Sequence, residues 1–138
     1  HTGAGRTTAE VVSLVDTLAT CAGILGEPLP RSAGEDSYDI LPAILGRKLE
    51  KPIREATVVH NAEGVFAIRQ GPWKLIEERT WDDKLRSPWR AEAVNQLYNL
   101  AADPEEKNNV WEQNPAVAAR LKARLNKYRE QGFSRPMA

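Results

Sequence analysis

Apolar residues recur along this chain with two different periods, and the change from one to the other divides it. Val11, Leu14, Val15, Leu18 and Ala22 repeat at three and four residues, which predicts an amphipathic helix over about residues 8–22. Thr7 and Glu10 have the S/T-x-x-E spacing of a capping box at its start, and Gly23 and Gly26 stand where it should stop. Residues 27–35 hold Pro28, Pro30 and Gly34 among polar side chains and read as a loop. A short second helix is expected next, with Ile40, Leu41, Ile44 and Leu45 facing a core and Asp36 or Ser37 as its cap.

From Ala56 the period falls to two. Thr57, Val58 and Val59 are β-branched, residues 65–70 and 73–77 alternate, and Gly64 and Gly71-Pro72 punctuate them, which predicts an antiparallel meander. Asn61-Ala62-Glu63-Gly64 supplies the first hairpin turn and Gln70-Gly71-Pro72 the second. Phe66, Ile68, Trp73, Leu75 and Leu97 are expected on the covered face, with Arg69 and Lys74 pointing outward. Residues 78–95 interrupt the pattern with a polar stretch in which Trp81 and Trp89 lie among Arg79, Arg86 and Arg90. It reads as a surface loop, though aromatic faces and guanidinium groups also suit a sulfated sugar.

Residues 96–100 form the last expected strand, and Asp103-Pro104 starts a turn because proline pre-sets its backbone angle while aspartate bonds to following amides. Asn114 and Pro115 then open a helix that Gly132 closes, with Val117, Leu121, Leu125 and Tyr128 in one stripe and Arg120, Lys122, Lys127 and Arg129 opposite. The whole pattern predicts an α+β fold: a small antiparallel sheet of about four strands packed by a C-terminal helix, plus an N-terminal helix.

Composition narrows the function classes. With 138 residues, 41% of them hydrophobic and 28% charged, the chain suits an ordinary globular core. Nineteen basic residues balance nineteen acidic ones, so no global field favours nucleic acid or an anionic membrane, and neither is expected as a partner. One cysteine and two histidines exclude an internal disulfide framework and an ordinary structural zinc site. No apolar run is long enough to span a bilayer, and since the chain begins at His1 an upstream portion is expected. The compartment is left open.

No constellation supports catalysis alone. His60, the sole internal histidine, lies in an expected strand; no serine sits in a nucleophile elbow, and no glycine loop is built to cradle phosphate. The carboxylates Asp36 and Asp39, and those of Asp103-Pro104-Glu105-Glu106, read as helix caps and a turn rather than calcium ligands.

Two stretches carry a resemblance. Residues 66–76 are similar to the strand "aiR-x-G-x-WKLi", and Leu97-Tyr98-Asn99-Leu100-Ala101-Ala102-Asp103-Pro104-Glu105-Glu106 to the strand and turn "LYdL-x-x-DPxE-x-N", of the C-terminal part of type I sulfatases in the alkaline-phosphatase-like superfamily. Asn99 departs from the commoner aspartate and Glu105 from a common glycine. The first helix resembles the family's "vsLvDllpTllelaGi", with Asp16 and Thr20 matching and Ala19 in place of proline, and Gly132-Phe133-Ser134-Arg135-Pro136 resembles the family's tail. The likeness runs from about residue 11 to 136.

That resemblance implies a parent enzyme that hydrolyses sulfate esters through a formylglycine made from the cysteine of a C-x-P-S-R motif, beside Ca2+. Cys21, in Thr20-Cys21-Ala22-Gly23-Ile24, is not that motif. The chain is therefore expected to hold no catalytic residues and no cofactor, with 1–50 ending the large domain and 51–138 forming a C-terminal sheet-and-helix subdomain. His60 and Asn61 are implied at the mouth of the substrate pocket, against a sulfated small molecule or glycan. The implied partner is the missing N-terminal catalytic domain. Without it Val11, Leu14 and Leu18 would be left uncovered, with self-association of the fragment as an outlet. Two alternatives stay open: a phosphodiesterase or phosphonate hydrolase of the same superfamily, and a stand-alone carbohydrate-binding module using Trp81 and Trp89.

Overall fold

Gly71 and Pro72 set the middle of the sheet. Gly71 adopts φ 55°, and a glycine of positive φ followed by a proline is the residue pair of a type II′ hairpin turn. A computed structural model of the chain describes residues 2, 4–62, 64–78 and 94–136, and in it β2 (Phe66–Gln70) and β3 (Trp73–Ile76) pair antiparallel from Gln70↔Trp73 to Ala67↔Ile76. β4 (Gln96–Asn99) adds to β3 with Leu75 opposite Leu97, and β1 (Thr57–His60) takes the other edge, giving the antiparallel order β1-β2-β3-β4. The two expected hairpins are both present. At the first, Asn61 closes the turn by accepting from Gly64 N at 3.1 Å and donating to the Val65 carbonyl at 3.2 Å.

The register decides which side chains are covered. Ile68, Leu75 and Leu97 lie side by side across three strands, each 0% exposed, with Phe66 and Trp73 on the same face, as the alternation predicts. Burial of each such side chain is worth roughly 1.5–3 kcal/mol. The reverse face carries Arg69 and Lys74, again as expected; Arg69 Nε donates to the Gly71 carbonyl at 3.3 Å.

α3 (Pro115–Gln131) begins after Asn114, whose carbonyl accepts from Val117 N and Ala118 N, both at 3.1 Å. Ala118, Leu121 and Leu125 form its buried stripe and, with Ile68, Leu75 and Leu97, supply the largest part of the interior of the unit Val58–Lys127. The helix stops where Gly132, at φ 76°, donates its amide to the Tyr128 carbonyl at 2.9 Å.

The second unit, His1–Thr57 with Tyr128–Ala138, departs from the sequence expectation. Its first helical element is a 3₁₀ turn, Leu14–Asp16, leading into α1 (Thr17–Leu25), so the helix starts well after residue 8. The Thr7–Glu10 box does not form because Glu10 Oε2 instead accepts from Ile53 N at 3.0 Å, while Asp16 Oδ2 accepts from Ser13 N at 2.7 Å and opens the helix there. Gly26, at φ 73°, ends α1, and Gly23 lies inside it.

The face that α1 buries is also the reverse of the apolar stripe. Asp16, Ala19 and Thr20 are buried, whereas Leu14 is 93% and Leu25 75% exposed, and Val15 and Leu18 stand half out. α2 (Leu41–Ile44) is capped by neither Asp36 nor Ser37: its N-cap position is Ile40, and the preceding Asp39 accepts through Oδ1 from Leu41 N at 2.8 Å. Ser37 Oγ instead accepts from Ala19 N at 2.9 Å, and Asp36 Oδ1 from Ser134 N at 2.9 Å.

Candidate functional site

His60 ends β1 and Asn61 follows it into the hairpin, so both side chains stand at the surface of the sheet edge. Phe66 on the neighbouring strand fixes the imidazole, its ring centroid 5.5 Å away at an interplanar angle of 50°. His60 Nδ1 lies 2.9 Å from the Asn61 carbonyl. A carbonyl can only accept, so that contact is attractive only with the proton on Nδ1. Asn61 Oδ1 accepts from Val65 N at 3.0 Å, which fixes the amide beside the turn. The pair is an exposed hydrogen-bonding surface. Among the described residues no group of three His, Cys, Asp or Glu side chains could hold a metal ion.

The most heavily built polar centre lies elsewhere. Asp16, 0% exposed, accepts from Arg54 Nη2 and from Tyr38 N at 3.1 Å on Oδ1, and from Ser13 N on Oδ2. Its backbone carbonyl accepts from Thr20 Oγ1 at 2.7 Å, and Thr20 Oγ1 in turn accepts from Ile40 N at 3.2 Å. The Arg54 guanidinium, buried with it, lies 4.5 Å over the Tyr38 ring and donates Nη1 to Thr57 Oγ1 at 3.2 Å. Tyr38 donates its hydroxyl to the Ser134 carbonyl at 2.6 Å, and burial pushes that phenol up from its usual range. Arg135 secures the same tail: Nε donates to Gly34 O at 3.0 Å and Nη2 to Pro30 O and Ala33 O at 3.2 and 2.9 Å. Both carboxylate oxygens of Asp16 accept from donors of the chain itself, which makes this centre a brace, although Arg54 Nε is buried without a hydrogen-bond partner among the described residues. Asp16 and Thr20 were visible in the sequence as matching positions; Arg54 was not, because nothing local marks an arginine that is buried by a carboxylate 38 positions away.

A second brace joins the two stretches that carry the resemblance. Lys74 Nζ donates to both carboxylate oxygens of Glu106, at 2.8 and 2.7 Å, and Glu106 holds the left-handed backbone value φ 56°. Asp103 Oδ2 accepts from Asn108 N at 2.7 Å, and that amide holds the Asp103 carboxyl below its ordinary range. Asn109 Oδ1 then accepts from Leu97 N at 3.0 Å, tying the turn back to β4. The carboxylates at 103–106 are thus occupied as turn and ion-pair groups. The loop with Trp81 and Trp89 lies outside the described residues.

No protein-family profile matches the sequence. Over 114 residues the chain is 40% identical to an N-acetylgalactosamine-6-O-sulfatase of Bacteroides thetaiotaomicron, a match that takes in 79% of this chain and 22% of that protein. A structure solved in work on the metabolism of multiple glycosaminoglycans by Bacteroides thetaiotaomicron superposes with a TM-score of 0.68 at 37% identity, over 81% of this chain and 24% of the other. A second structure from that organism, at 18% identity and a TM-score of 0.61 over 84% of this chain, agrees in fold. The chain therefore spans about a quarter of the length of the relatives that it matches.

Proposed function

Because this chain is the C-terminal region of a sulfatase, we propose that the whole protein hydrolyses sulfate esters of sugars and that this segment shapes one rim of its substrate cleft. The observation that carries the reading is the 40% identity to an N-acetylgalactosamine-6-O-sulfatase, which extends through both the hairpin and the 103–109 turn at the scale of 114 residues. The family resemblance supplies formylglycine and Ca2+ for the reaction, and the described residues fit neither: Cys21 is exposed outside any C-x-P-S-R setting, and no three-ligand cluster is present among them. The chain's part is positional. Residues 1–50 close the large domain and 51–138 form the subdomain beside it.

His60 and Asn61 are the residues of this rim that meet the sugar. The exposed imidazole of His60 meets a hydroxyl on the leaving-group side, where selectivity between sugars is decided, and bond breaking proceeds elsewhere. The exposed leucines of the first helix are covered by the part of the protein that precedes this chain.

The test is sulfate release by the full-length protein from a galactosamine 6-sulfate, a glucosamine sulfate and an aryl sulfate. We expect release from a sulfated sugar, and a several-fold rise in KM for that sugar in His60→Ala with the aryl ester little changed. Unchanged selectivity in His60→Ala would remove the rim role. Release of alcohol from phosphodiesters, with all sulfate esters left intact, would replace the sulfatase reading with the phosphoryl-transfer one.

A further inference from the structure

His60 is exposed, yet its imidazole has two separate contacts within the sheet edge. One is the Phe66 ring, at a centroid distance of 5.5 Å and an interplanar angle of 50°. The other is the Asn61 carbonyl, 2.9 Å from Nδ1. That carbonyl also accepts from Gly64 N at 3.1 Å, so the oxygen that closes the hairpin turn is the one that meets the ring. Asn61 Oδ1 accepts from Val65 N at 3.0 Å and Asn61 N donates to the Val65 carbonyl at 3.2 Å, which ties the turn to the residue before Phe66. Both contacts of the imidazole thus issue from one hairpin.

Energetics decide what such an arrangement can be for. A tilted aromatic pair at this separation contributes a modest attraction, and holding an exposed side chain in one rotamer costs freedom of a similar size, so the two nearly cancel in the stability of the fold. In binding the balance differs. A ring whose direction is already set spares the ligand the cost of ordering it, and a misplacement of about 1 Å is felt strongly. Phe66 also differs in kind from Ile68 on the same strand and face. Ile68 is fully buried in the row with Leu75 and Leu97 and serves the interior, whereas Phe66 is half-buried and reaches the histidine at the edge.

We propose that Phe66 is a positioning residue for sugar selection: together with the Asn61 carbonyl it sets the direction in which the His60 imidazole meets a hydroxyl of the sugar. The proposal rests on the reading of His60 as a rim residue. It adds that the selectivity of the rim depends on an aromatic side chain acting through His60 and not on the substrate directly. Phe66 therefore acts on KM for the sugar and leaves bond breaking untouched.

The experiment uses the full-length protein with Phe66→Leu, with Phe66→Met as a second removal of the ring and Phe66→Tyr as the variant that keeps it. Ile68→Val, in the buried row of the same strand, is the control for a loosened sheet. Kinetics on a galactosamine 6-sulfate and on an aryl sulfate are measured beside thermal unfolding. Expected is a rise in KM for the sugar of about threefold to tenfold in both ring-removing variants, with kcat and the aryl ester unchanged. Phe66→Tyr should stay near the parent, as should Ile68→Val even where its unfolding temperature falls. With His60→Ala already present, Phe66→Leu should add nothing further to KM, because the ring through which it acts is gone. An equal rise in KM for Ile68→Val, additive effects of His60→Ala and Phe66→Leu, or no rise in either ring-removing variant while His60→Ala raises KM would each overturn the positioning role and leave the rim reading standing. If His60→Ala itself leaves KM for the sugar unaltered, the rim reading falls and the role of Phe66 falls with it.

Discussion

Asp16 and Arg54 show how much a single buried pair can decide. With side chains 0% and 2% exposed, neither charge has water to fall back on, so removing one partner leaves the other desolvated. Arg54→Met should lower stability by about 3–5 kcal/mol, whereas replacing both residues by apolar side chains of similar volume should cost much less, a contrast read from urea unfolding midpoints. Tyr38, which stacks under that guanidinium, gives the region a pH signature. Its folded pKa is raised, chiefly by burial, so its contribution is fully present below its ordinary value near 10 and is lost as pH rises through the folded value. Tyr38→Phe should cost about 1 kcal/mol at neutral pH by removing the bond to Ser134, and it should abolish this part of the alkaline loss, as unfolding across pH 8–12 would reveal.

Among the elements, those specified by local chemistry are the ones legible in the sequence. The hairpin at Gly71-Pro72, the covered row Ile68, Leu75 and Leu97, and α3 between Asn114 and Gly132 all follow from period, turn residue and cap. Gly132 is the simplest of these to test. A side chain there meets no steric neighbour within 4 Å but must hold φ +76°. Gly132→Ala should therefore cost about 1 kcal/mol in thermal unfolding, with Gly132→Asn less harmful.

The first helix begins later than its period predicts because Asp16, and not the Thr7–Glu10 pair, opens it, while its leucines stand uncovered as expected of the chain without its partner domain. Its stripe of leucines has the right period, but a polar set of long-range partners, Ser37 to Ala19 and Tyr38 and Arg54 to Asp16, holds the opposite face inward. Period reports that a helix has two faces, not which one its own chain covers. The candidate site was legible only as residue types: His60 and Asn61 stand exposed where the sequence puts them, while the braces through Arg54 and Glu106 depend on contacts that no local pattern encodes.

For the whole molecule the exposed seam has a direct consequence in solution. Leu14, Leu18 and Leu25 recur at i, i+4 and i+11 on one side, an apolar strip that water contacts throughout the chain as it stands. Sedimentation of the isolated chain should show species above the monomer, and Leu14→Ser with Leu18→Ser should return it to the monomer without loss of helix. A clean monomer with no apolar-dye binding would count against an uncovered seam. In the full-length protein the same double substitution should lower stability, since there the leucines are proposed to be covered.

That seam also carries its own reporter. Cys21 stands seven residues after Leu14, on the leucine side of α1, and its thiol is exposed. As the chain's sole cysteine it can be tagged by a maleimide without any substitution. Rapid labelling in the separate chain and slow labelling of the same peptide in the full-length protein would register the covering of the seam by chemistry alone.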